Sequence, residues 1–309
     1  MSWLTPPRLR VGLAALLAID LLSYGYFIAA ARAVALADGI ALSPFAALIA
    51  RPAVAWPLAL LGVAGVLAFA RRAGRLLAGL LPLAALMLLS TAHGELFGSP
   101  WRHLYFSGLC LAGWLVGLAV ARWRAAPDAE AWAQVGATAL LGAAYFNAGL
   151  SKLLYGGTDW LSGFPIQAVV IGQDGMVADD LLTGYRTWVV GVPGLAALFA
   201  SATVAFELAG ALMIAGARVR RWVALGLIAM HSNILLLTHI LYWESMVVLL
   251  LFGFAPDPPP AAAVTIAQPR RSRWFVLAAG LLALGAILAV AHQARPPARS
   301  QRPVALAGG

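Results

Sequence analysis

The stretch Gly136-Ala-Thr-Ala-Leu-Leu-Gly-Ala-Ala-Tyr145-Phe-Asn-Ala-Gly-Leu-Ser-Lys152 carries no charge before its last residue. It reads as a membrane-spanning helix with a lysine at its far end. A cationic side chain facing lipid costs roughly 2.5–3.5 kcal/mol on insertion scales, so Lys152 is a functional candidate by default. The plainer alternative is a lysine near a helix end whose ammonium reaches the headgroups.

The rest of the chain has the same character. Of 309 residues, 62% are hydrophobic and 11% charged, and the mean hydropathy is +0.87. Runs of about 18 or more apolar residues mean membrane spans. Without an alternating period-two pattern they mean helices rather than an outer-membrane barrel. The expected fold is an all-α integral membrane protein, a polytopic helical bundle of eight or nine transmembrane helices. Spans are expected at about 11–33, 54–70, 76–97, 104–122, 134–154, 191–216, 222–239, 242–255 and 274–292. The eighth is short and could be a re-entrant half-helix.

This divides the chain into a transmembrane core (1–255), a cytoplasmic linker (256–273), a further C-terminal helix (274–292) and a disordered tail (293–309). The longest connection, 155–190, is expected on the outer side. Arg8 and Arg10 precede an apolar run, as in a signal peptide, and Ala35-Leu-Ala37 resembles a cleavage site. The run Val11 to Ala31 is long for such a segment, so a retained first helix is expected.

The net charge of +9 would suggest nucleic acid, but the arginines fall in short clusters between apolar runs. Arg8/Arg10, Arg71/Arg72/Arg75, Arg122/Arg124, Arg218/Arg220/Arg221 and Arg270/Arg271/Arg273 all lie on one side if the eighth segment crosses. By the positive-inside rule that side is cytoplasmic, with the N-terminus, in a multi-pass inner (cytoplasmic) membrane protein. The single cysteine, Cys110, excludes an internal disulfide. No P-loop, GxSxG or dinucleotide fingerprint is present, and no His pair at i, i+4 specifies a metal.

Helix rise places the polar residues in depth. His93, Glu95, Trp101, Arg102, His103, Lys152, His239, Tyr242, Trp243 and Glu244 form an outer layer. Asp20, Glu207, His231 and Asn233 form a deeper one. Asp20 could pair with an arginine or with Tyr24 at i+4. Glu207 and His231 could be a helix-holding pair or carry protons. His93 and Glu95, two apart, face different ways. The spacings Gly62/Gly65 and Gly149/Gly156 read as helix packing. A desolvated lysine can be basic near neutral pH and take a proton from an amphipathic acid such as a hydroquinone.

Three segments together resemble the HTTM family, which includes the membrane domain of vitamin K-dependent gamma-carboxylases. The first is Tyr145-Phe-Asn-Ala-Gly-Leu-Ser-Lys152-Leu with Asp159-Trp160-Leu-Ser-Gly163. The second is Trp101-Arg-His103-Leu-Tyr105. The third is Glu207 with Met230-His231-Ser-Asn233. The resemblance covers roughly residues 10–255 and departs at Ser151, where the animal carboxylase has a second lysine. It implies Lys152 as a base for a quinol of the menaquinone or vitamin K type, with His103 as its helper. Glu207 and His231 would support it, and Trp101, Tyr145, Asn147 and Trp160 would line the substrate. The partners implied are membrane lipid and a lipid-soluble small molecule. Alternatively the chain would be a non-enzymatic membrane subunit, DoxX-like or of the toxin-maturation type, working with a protein encoded nearby. A proton-driven transporter is the third option.

Overall fold

The computed structural model describes residues 4–37, 42–71, 76–96, 106–172 and 180–257, and all regular structure among them is helical. The helices are α1 (Pro6–Ala37), α2 (Pro44–Ile49), α3 (Pro52–Arg71), α4 (Leu76–Leu96), α5 (Phe106–Trp123) and α6 (Ala129–Gly156). A 3-10 turn, Gly157–Leu161, leads to α7 (Phe164–Gly172), α8 (Thr183–Gly191) and α9 (Pro193–Leu208). A second 3-10 segment, Ala209–Ile214, extends α9, and α10 (Ala217–Thr238) and α11 (Trp243–Gly253) follow. Proline opens α1, α2, α3 and α9, where its missing N–H leaves no helical bond unmade. Ser43 caps α2 through the Ala46 amide, and Asp128 caps α6 through that of Ala131.

Six of these helical stretches are long and apolar enough to cross a membrane: Pro6–Arg32, Pro52–Arg71, Leu76–Leu96, Phe106–Trp123, Pro193–Ile214 and Ala217–Thr238. The chain is thus an all-α protein with the composition of a membrane protein. The expected fifth span lies within α6, which is 28 residues long but less apolar. The expected eighth is the 11-residue α11, short of the ~20 residues a full crossing needs. The expected ninth, 274–292, with the tail and all but the first residues of the linker, lies outside the described residues. Within the long outer connection expected at 155–190, the described residues include the 3-10 turn, α7 and most of α8. α1 is continuous through the cleavage-like Ala35-Leu-Ala37.

The bundle closes where glycine lets backbones meet. At Gly113 and Gly117 of α5 and Gly136 of α6, an added Cβ would run into the facing backbone. α5 and α6 therefore pack as a close antiparallel hairpin. Gly62 admits Leu21 and Ala85, and Gly65 admits the ring of Pro82, the proline inside α4. Gly142 and Gly210 bring the second 3-10 segment against α6. α1 touches α3, α4, α5, α6 and α11 and forms the centre of one half of the bundle. Leu60, Leu61 and Leu67 on α3, with similar residues on other helices, remain exposed, as lipid-facing surface requires.

The chain runs up and down, so Arg10, Arg71, Arg122, Arg124, Arg218, Arg220 and Arg221 fall at one end, while Arg32 and Arg51 fall at the other. At the arginine-rich end Arg10 pairs with Glu130 and donates to the Ala70 carbonyl at 3.2 Å. Lys152, Trp160, Glu95 and Arg186 mark the opposite end. At that end Glu95 accepts bonds from the Ser43 amide (2.9 Å) and hydroxyl (2.8 Å).

Candidate functional site

Lys152 is the only lysine in the chain; every other basic residue among the 21 is arginine. It lies one turn before the end of α6, with its side chain 21% exposed. Its Nζ donates to both oxygens of Glu207 on α9, at 2.6 and 2.7 Å. The Trp160 ring lies over it, 5.3 Å from Nζ to the ring centroid, within cation–π range. Two glycines make this possible. A Cβ on Gly149 would come within 2.9 Å of the Glu207 Cβ, and one on Gly156 would overlap the Trp160 indole.

Deeper along the same face of α6, the Tyr145 hydroxyl bonds His231 Nε2 of α10 at 2.9 Å. Phe106 stacks on Tyr145 at 4.9 Å, and Tyr242 lies 5.0 Å from the His231 ring. Deeper still, Ser107 joins two buried acids. Its hydroxyl donates to Asp20 Oδ2 and its amide to Glu244 Oε1, the latter at 2.5 Å. Asp20 Oδ1 and Glu244 Oε2 have no partner among the described residues. A polar column thus descends from the Lys152 end into the middle of an apolar bundle.

Members of both depth tiers expected from helix rise, Lys152, Glu207, His231, Tyr242, Asp20 and Glu244, thus fall in one column, while His93, Glu95, Asn233 and His239 lie elsewhere. Glu207, assigned to the deeper tier, meets Lys152 of the outer one, and His231 bonds Tyr145. Lys152 is one half of an ion pair instead of a solitary amine. Asp20 is tied to Ser107, not to an arginine. Asn147 is exposed: it lies two residues from Tyr145 and faces away from the side that Tyr145, Gly149 and Lys152 share. His93 is buried against Tyr24, edge to face, while Glu95 turns to Ser43, so those two do point apart. Trp101, Arg102 and His103 lie outside the described residues. Phe106 and Ser107 carry no sequence signal that singles them out for this cluster, whereas Glu244 is one of the polar residues expected in the outer layer.

A separate group closes the Lys152 end around α8. Arg186, fully buried, donates to Asp180 Oδ2 at 2.8 Å and to the Leu236 carbonyl at 3.2 Å, and it contacts His239. The Arg186 guanidinium, with the Leu182 amide, holds the Asp180 carboxyl below its usual range. Tyr185 donates to Asn233 at 2.5 Å, and burial pushes its phenol up.

No set of three or more His, Cys, Asp or Glu side chains among the described residues could hold a metal ion. No protein-family model, no curated protein and no solved structure matches the chain.

Proposed function

We propose that this chain is a membrane enzyme acting on a lipid-soluble, quinol-type substrate, with the Lys152–Glu207 pair as its base. The observation that carries this reading is the sole lysine held two-pronged by a carboxylate at the head of a polar column. Arginine would serve a purely structural ion pair as well or better, and the chain uses arginine everywhere else. Only lysine can give up its proton and act as a base. A hydroquinone O–H delivered to the pair would pass its proton to it, and the Lys152 ammonium would hold the oxyanion left behind. Trp160 offers a flat face for the ring, and Tyr145 and His231 offer a next stop for the proton. The resemblance of the Lys152 segment to the HTTM carboxylase run favours the same chemistry. The positive-inside rule would put this site on the extracytoplasmic side of the inner membrane.

The test is oxygen uptake by the detergent-purified protein given reduced menaquinone or vitamin K hydroquinone. Wild type should consume oxygen; Lys152→Ala and Lys152→Arg should not, while remaining monodisperse. Activity retained in Lys152→Arg would make the residue a charge and not a base. No uptake with any quinol would favour the membrane-subunit alternative.

A further inference from the structure

At the arginine-rich end, far from Lys152, a cavity of about 320 Å³ opens between α6, the 3-10 segment after α9, and the start of α10. Gln134, Val135, Ile214, Gly216, Arg220 and Asp257 are among its walls. Two of these are buried polar side chains, Arg220 at 4% exposure and Gln134 at 2%. Arg220 Nη2 donates to the Ala255 carbonyl at 2.6 Å and to Asp257 Oδ1 at 3.1 Å. Gln134 donates to the Pro256 carbonyl at 2.6 Å. Among the described residues, Arg220 Nε and Gln134 Oε1 have no partner. Both of these atoms are themselves sealed from solvent, so they add no binding group to the surface of the cavity.

Asp257 shows what the site attracts. Its carboxylate is half exposed, yet it bridges two positive ends, Arg220 and the Ala217 amide in the first turn of α10, the latter at 2.8 Å. A carboxylate shared by a guanidinium and a helix N-terminus stands where an incoming anion would bind. Exposed Arg218 adds charge at the rim. Apolar side chains flank the mouth: Val135 and Ile214, both lining it, are exposed. Free phosphate would have no use for that apolar flank; an acyl chain would.

We propose that this cavity binds the headgroup of an anionic phospholipid. Its phosphate takes the donors of Arg220 and α10 in place of Asp257. Its acyl chain lies along Val135 and Ile214. Basic pockets between helices at the cytoplasmic face suit such lipids. The site is independent of the Lys152 column.

Native mass spectrometry of the full chain in detergent, titrated with phosphatidylglycerol or phosphatidylcholine, tests this. Wild type should retain one phosphatidylglycerol with an apparent affinity about tenfold above that for phosphatidylcholine, the scale of one charge-assisted hydrogen bond. Arg220→Gln should abolish the preference. Asp257→Asn, which removes the competing carboxylate, should strengthen it, and a gain cannot come from misfolding. Equal retention of the two lipids by wild type, or an unchanged preference in Asp257→Asn, overturns the proposal. Binding of inorganic phosphate without any lipid preference overturns the lipid assignment and leaves a phosphate site.

Discussion

Glu207 accepts two hydrogen bonds from Lys152, at 2.6 and 2.7 Å, yet the two partners are not equally buried: the lysine side chain is 21% exposed and the glutamate 8%. Removing either partner strands the other, but not to the same degree. Lys152 can swing toward the end of the bundle; Glu207 cannot. Lys152→Ala is therefore expected to destabilise by about 2–4 kcal/mol and Glu207→Ala by about 1–2, below the range for fully buried pairs because the lysine is partly solvated. The double variant Lys152→Met/Glu207→Leu should lose less than the sum. Thermal midpoints in one detergent measure all three, and a larger loss in Glu207→Ala would contradict this ordering.

Because the chain has one lysine, an amine-reactive reagent reads Lys152 and the N-terminus alone. The Trp160 ring and the Glu207 carboxylate cover the Lys152 ammonium. Acylation of Lys152, followed by peptide mass spectrometry, should be slow in wild type and severalfold faster in Trp160→Ala. Equal rates would mean that the indole does not shield the amine.

Gly113→Leu should be among the most damaging single changes in the apolar core. Its side chain would displace the α6 backbone at Gly136, with an overpacking cost of about 1–3 kcal/mol or more. Gly172, with nothing within 4 Å of an added Cβ, is the control, and Gly172→Ala should leave the thermal midpoint nearly unchanged. Similar losses at both positions would show that the α5–α6 contact is not what limits stability.

Asp180 has its folded-state pKa lowered by Arg186. Its contribution to stability is present above the unfolded value of about 3.9 and is lost as pH falls through the lower folded value. Hydrogen exchange of the α8 amides should therefore accelerate below about pH 4 relative to Asp180→Asn at the same pH. Wild type and variant that track each other down to pH 3 would remove Asp180 as the latch.

Much of the scaffold was legible because uncharged runs bounded by arginine or proline have few other readings. α3, α4, α5 and α10 fall within a few residues of expectation. α7 and α8 were hidden because 155–190 mixes aspartates, glycines and short apolar pieces without a long period. The site was legible by residue type but not by contact. Depth counting treats each helix as a straight rod starting at the same plane, whereas α6 begins at Ala129 and Gly149 draws α9 against it. Lys152 and Glu207 therefore meet despite different counts. Asn147 shows the opposite error. It belongs to the motif by sequence, but the 3.6-residue period turns it away from Tyr145 and Lys152.

The backbone contact of Gly113 and Gly117 with α6 also bears on how the molecule is assembled. With no side chain between them, α5 and α6 leave no gap for acyl chains. The short link between them, residues 124–128, brings them together at little loop-closure cost. Such a hairpin can associate as soon as its second helix leaves the translocation machinery. It would then be the template on which α1 and the later-made α9 and α10 dock.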